Sequence, residues 1–91
     1  MSRYFFDLHN DMDVFDGEGR EFPDLNAAHS TAFKEAREMI CASVTRDGKI
    51  DLRHSIELRD ETGAVIRVVH FEDAVIVMRG GEVLSRSSAA A

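Results

Sequence analysis

The 91-residue chain has one cysteine, one proline and no tryptophan, and its 11 basic residues are outnumbered by 17 acidic ones. A single thiol, Cys41, excludes an internal disulfide framework and favours a reducing compartment. The longest uncharged apolar run, residues 74–78, falls far short of the roughly 20 residues that a spanning helix needs. The opening Met1-Ser2-Arg3-Tyr4-Phe5-Phe6 is cut off by Asp7, before it reaches the apolar length of about 7–15 residues typical of a secretory signal. A net charge of −6 disfavours generic attraction to nucleic acid or to an anionic membrane. These shortages lead to the expectation of a cytoplasmic protein that does not enter membranes.

What is present fits one small globular domain. Hydrophobic residues make up 44% and charged residues 31%, close to an ordinary soluble fold and far from a disordered or fibrous chain. At this length a single core is near the lower limit of self-sufficiency. The charge is uneven: residues 1–25 hold seven acids and two bases, so nearly all the net charge lies in the first quarter. No repeat or internal linker divides the chain. The expected domain covers residues 1–79, and residues 80–91, rich in Gly, Ser and Ala, are expected to form a flexible tail.

Periodicity then assigns elements. Residues 3–9 alternate, with Tyr4, Phe6 and Leu8 on one face and Phe5, Asp7 and His9 on the other, as in a half-buried strand. A second strand through Val14 and Phe15 is interrupted by Asp16-Gly17-Glu18-Gly19, where both glycines are expected to supply positive φ, and resumes at residues 20–22. Pro23 stops it. Asp24 is placed to cap a long helix whose stripe is Leu25, Ala28, Ala32, Ala36, Met39 and Ile40, with Gly48 at its end. Residues 55–59 and 64–71 form a hairpin around Asp60-Glu61-Thr62-Gly63. The second of these strands is apolar on both faces, so it is expected at the centre of the sheet or covered on both sides. Residues 72–78 fit either a short helix or a further strand. The fold class is therefore α+β, a ββαββ order with an antiparallel sheet of about four strands and one long helix on one face.

Specific residues also carry a likeness. Arg3-Tyr4-Phe5-Phe6-Asp7-Leu8, then Asp16-Gly17-Glu18-Gly19 with Glu21-Phe22-Pro23-Asp24-Leu25, and Ile56-Glu57-Leu58-Arg59-Asp60-Glu61 with Gly63 resemble a family of short, mostly alphaproteobacterial proteins of unknown function that opens with an R-Y-F-F motif. The resemblance spans roughly residues 2–73 and implies the same ββαββ architecture without implying any activity. A strand ending in Pro-Asp-Leu before an alanine-rich helix is similar, in topology alone, to antitoxin domains of the HicB type.

The chemistry on offer is sparse. Asp11, Asp13, Asp16 and Glu18 are hard oxygen donors close in sequence, a weak candidate for Ca²⁺ or Mg²⁺. No EF-hand register fits: starting at Asp11 places Asp16 where the invariant glycine belongs, and starting at Asp7 places Met12 there. The favoured reading is a solvated, self-repelling turn that protects a sheet edge, with no metal and no cofactor. The four histidines show no zinc-type helical spacing, and His70 is expected to be packed inside the central strand. Cys41 lies too far along the helix for its N-terminus to stabilise a thiolate, and Gly17-x-Gly19 is too short for a phosphate loop. The chain is thus not expected to be an enzyme. Tyr4, Phe5 and Phe6 are expected to fill the core rather than to stack on RNA.

One helix covers one face of a sheet, so surplus apolar residues at Phe5, Val65, Val69 and Phe71 call for a cover on the other. Either residues 74–84 or a second copy is expected to provide it. This leads to a non-catalytic interaction or regulatory module acting through protein contacts as a homodimer. The alternative is an antitoxin-like or nucleic-acid-linked regulator of the HicB type.

Overall fold

The computed structural model describes residues 1–85. Strand β1 (Ser2–His9) pairs antiparallel with β4 (Ser55–Arg59), which in turn pairs antiparallel with β5 (Val65–His70). On the other edge of β1 lie two short strands set end to end, β2 (Asp13–Val14) against Leu8 and His9 and β3 (Arg20–Phe22) against residues 2–4. The sheet is thus four strands wide, with its first edge strand broken where the sequence places the acidic Gly-containing turn. Helix α1 (Leu25–Asp47) crosses one face.

The helix begins and ends for local reasons. The Asp24 carboxylate accepts a hydrogen bond from the Ala27 amide at 2.8 Å, satisfying one of the orphan donors of the first turn. Gly48 takes the left-handed conformation, φ 65°, and donates its N–H to the Val44 carbonyl at 2.9 Å. Ala28, Ala32 and Ala36 are fully buried, and their small side chains bring the helix axis close to the sheet. With Ile40 they meet Tyr4, Ile56, Leu58 and Val69 in the core, and Phe6 and Leu8 pack at its border. Phe6 stacks on Phe22 with centroids 5.7 Å apart, so these aromatics belong to the packed layer.

After β5 the chain forms a single turn, α2 (Phe71–Ala74), and then a separate hairpin of β6 (Val77–Arg79) and β7 (Glu82–Ser85). Residues 72–78 therefore combine both expected forms, a helical turn followed by a strand. Residues 82–85, expected in the tail, are instead a strand, whereas residues 86–91 lie outside the described residues. Among the described residues no helix is long and apolar enough to cross a membrane.

Four expectations need correction. Of the two turn glycines only Gly19 has positive φ, at 71°, and a Cβ there would also meet the Phe5 ring at 2.8 Å, whereas Gly17 stands in the open. The apolar strand is not central: β5 is the outermost strand, because β1 returns to pair with β4. His70 is consequently exposed at the end of an edge strand rather than packed. Val69 and Phe71, expected to need an external cover, are core residues beneath the helix layer, because α2 folds back onto α1. Arg37 fixes that return, its Nε donating to the Ala74 carbonyl at 2.6 Å.

Candidate functional site

The face of the sheet opposite α1 carries three cross-strand rows: Phe5, Arg59 and Val65; Asp7, Glu57 and Val68; His9, Ser55 and His70. Residues 10–19 lie against the first strand of this face. Where β2 gives way to β3, the edge amide of Phe6 has no strand to donate to. The Asp16 carboxylate takes that role, accepting from Phe6 N–H at 3.1 Å through Oδ2 and from the Glu18 and Gly19 amides at 3.0 and 2.9 Å through Oδ1. A side chain thus replaces a missing stretch of backbone.

Asp7 anchors the same loop from below. Its carboxylate is 2% exposed and accepts both arms of the Arg59 guanidinium, Nε at 2.6 Å and Nη2 at 3.0 Å. It also accepts the Asp16 amide at 2.9 Å, and Arg59 Nη2 donates onward to the Asp16 carbonyl at 3.2 Å. A bidentate guanidinium pair is the arrangement that allows a carboxylate to be buried. The hydrogen bonds from Arg59 hold the Asp7 carboxyl below its ordinary range despite burial. For Asp16 burial pushes upward, but the Gly19, Phe6 and Glu18 amides outweigh it and leave the carboxyl lowered. The expectation of a self-repelling, solvated turn therefore fails at Asp16, because its charge is met by three amides.

The other acids of the loop go separate ways. Asp13 pairs with His9 Nδ1 at 2.9 Å, and the opposite nitrogen, Nε2, meets Glu57 at 2.7 Å. The hydrogen bond to Asp13, then the charges of Glu57 and Asp13, raise the His9 imidazole above its ordinary value. Glu18 is exposed and engages through its backbone, its amide donating to Asp16 and its carbonyl accepting from Arg3 Nη1 at 2.9 Å. Asp11, Asp13, Asp16 and Glu18 do not converge on one point, so the loop is not a four-carboxylate cation site.

Asp11 instead meets residues that the sequence reading did not single out. Asp51, after the end of α1, and His54, just before β4, place their donor atoms with that of Asp11 within 4.8 Å of one another. His54 Nε2 lies 3.5 Å from Asp51 Oδ2 and 4.0 Å from Asp11 Oδ1. Asp51 is oriented by Arg53, whose backbone N–H and Nε donate to Oδ1 at 3.0 and 3.1 Å and whose Nη2 donates to Oδ2 at 2.9 Å. These bonds hold its carboxyl far below the ordinary range. The His54 ring stands edge-on to Phe71, centroids 5.5 Å apart, and its backbone carbonyl accepts the Phe71 N–H at 2.9 Å. Asp51 and His54 also line a depression of about 260 Å³ walled by Leu8, Met39, Ile40 and Phe71. Sequence spacing could not reveal this trio, since 40 residues separate Asp11 from Asp51; only the polar breaks at both positions hinted at neighbouring loops.

Over β5 the outer face is open. Val65 is 49% and Val68 37% exposed, His70 stands free beside them, and the outer edge of β5 pairs with no strand among the described residues. Of the candidate interface residues, Val65 belongs to this open region, while Phe5 is half-buried beside Gly19 and under the Arg59 guanidinium, 5.2 Å from its ring centroid. Cys41 is exposed on α1.

No curated protein and no solved structure matches the chain. The family described as Domain of unknown function (DUF6894) matches residues 3–72, which run from β1 into α2 and include the Asp7–Arg59–Asp16 network, the Asp11–Asp51–His54 trio and all of β5. The hairpin of β6 and β7 lies beyond the match. With the five-stranded sheet and its long helix inside that span, the chain belongs to the DUF6894 family.

Proposed function

We propose that this domain is a non-catalytic interaction module that works by self-association, two copies joining along β5. The observation that carries the reading is the open half of the outer face. An edge strand with unpaired backbone groups and exposed β-branched side chains is a ready template for another strand. Antiparallel pairing of β5 with the β5 of a second copy satisfies both edges through one two-fold axis, the commonest symmetry of small oligomers. Val65 and Val68 of each copy then meet across the join, burying surface that the monomer leaves to water. Acidic character supports a protein partner over nucleic acid, since counter-ion release from phosphates needs a basic face.

Sedimentation velocity at micromolar concentration tests the reading. A dimer is expected for the wild type and a monomer for Val68→Asp, which sets like charges of the two copies beside the join. The variant itself should keep the monomer's stability to within about 0.5 kcal/mol, because the position is exposed. A monomeric wild type, or a dimer indifferent to Val68→Asp, overturns it.

A further inference from the structure

The donor set at the end of α1 differs in kind from the acidic loop. It combines one imidazole nitrogen with two carboxylates, drawn from three separate stretches of chain. His54 Nε2 is shielded from solvent and has no hydrogen-bond partner among the described residues, although two carboxylate oxygens lie just beyond bonding range. A buried imidazole nitrogen is ordinarily satisfied, so one that faces two anions without bonding either calls for a ligand. Phe71 flanks the ring edge-on, and the His54 backbone is bonded to the start of α2.

We propose that Asp11, Asp51 and His54 form a three-ligand binding site for a divalent first-row transition ion of the zinc type, its remaining coordination position open to water. Bonds of about 2.0–2.1 Å in a tetrahedron place neighbouring ligand atoms roughly 3.3 Å apart. The observed 3.5 and 4.0 Å from His54 Nε2 are a slightly opened form of that triangle. Asp11 is 93% exposed in its side chain and is free to close the remainder by changing rotamer. The imidazole selects against Ca²⁺ and Mg²⁺, which prefer six or more oxygens. Arg53 acts as a positioning residue, since its guanidinium bonds both oxygens of Asp51, including the Oδ2 that faces His54, while its own side chain is 87% exposed. Its positive charge lowers affinity, so the site binds and releases its ion rather than holding it permanently. This inference does not depend on self-association.

Isothermal titration of the full chain with zinc chloride tests it, together with imidazole resonances in NMR spectra. One zinc per chain is expected, with the His54 ring signals shifting and those of His29 and His70 unmoved. Asp11→Asn should weaken binding at least about tenfold, since even the loss of an outer partner costs a metal site that much. The exposed position makes that variant safe for folding. Asp13→Asn, two residues away and paired with His9, should bind as the wild type does. Magnesium at millimolar concentration should not compete. No saturable uptake of zinc, equal affinity in Asp11→Asn, or a shift at His9 in place of His54 would each overturn the proposal.

Discussion

The two halves of the outer sheet face solve the same problem differently. Over β1 a loop of acidic residues is tied down by Asp7, Arg59 and Asp16, so a charged surface becomes a covered one. Over β5 a more apolar surface, with Val65 and Val68, stays open. Apolar content alone therefore does not decide which half is roofed. What decides is where the chain can satisfy its backbone. The break between β2 and β3 leaves the Phe6 amide in need of an acceptor, and Asp16 supplies it, drawing the loop inward. The outer edge of β5 pairs with no strand among the described residues, and its valines remain exposed.

The largest test of that contrast is Asp7→Ala. It removes the acceptor for both arms of Arg59 and for the Asp16 amide, and should cost about 3 kcal/mol, the lower end of the range for breaking a buried ion pair. Urea denaturation reads the loss. A cost below about 1 kcal/mol would put the pair among ordinary surface contacts and erase the distinction between the halves.

Next comes Asp16→Ala, expected to cost about 2 kcal/mol because three amides lose a charged acceptor. Hydrogen exchange at the Phe6 amide should accelerate, while exchange at amides in the middle of β4 should change much less. The pH dependence sharpens this. Both Asp7 and Asp16 have folded values below the ordinary 3.8, so their contribution is complete above that value and is lost as pH falls through the lowered folded values. Acid unfolding of the wild type should therefore be steep in this range, and Asp16→Ala should flatten it. An unchanged acid profile would show that the carboxylate charge is not what holds the loop.

The smallest effect concerns His9, which links the loop through Asp13 to Glu57 on β4. Its raised folded value means that its contribution is present below 6.5 and is lost as pH rises through the folded value. His29 has the opposite sign: burial, then the charge of Arg67, lower its folded value, so its contribution is full above 6.5 and fades as pH falls below it. Together the two place a shallow stability maximum near 6.5. His9→Gln should change stability by only about 0.5 kcal/mol, and the remaining profile should rise with pH through the His29 range. A profile identical to the wild type would show that His9 does not clamp the loop.

Much of this architecture is legible in the chain itself. The Asp24 cap, the alanine stripe, the Gly48 stop and the Asp60 turn are local signals, set by propensities that act over a few residues. Even the interruption at residues 16–19 is readable, because Gly and Asp cluster there within an otherwise strand-like stretch. The position of β5 is not readable in the same way. Its alternation reports apolar residues on both faces, and that pattern is shared by a central strand and by an edge strand that meets a partner.

The functional chemistry divides along the same line. Sequence alone determined that the acids of the first quarter were numerous and close, since composition and spacing are properties of the chain. Only the tertiary structure decided that Asp16 would serve the backbone, that Asp13 would turn to His9, and that Asp11 would leave its neighbours to face Asp51 and His54. A carboxylate's role depends on which donors surround it in space. For Asp16 and Asp13 those partners lie close along the chain and are brought round by the turns after β1, whereas for Asp11 they lie forty or more positions away and are brought near by strand pairing and helix packing.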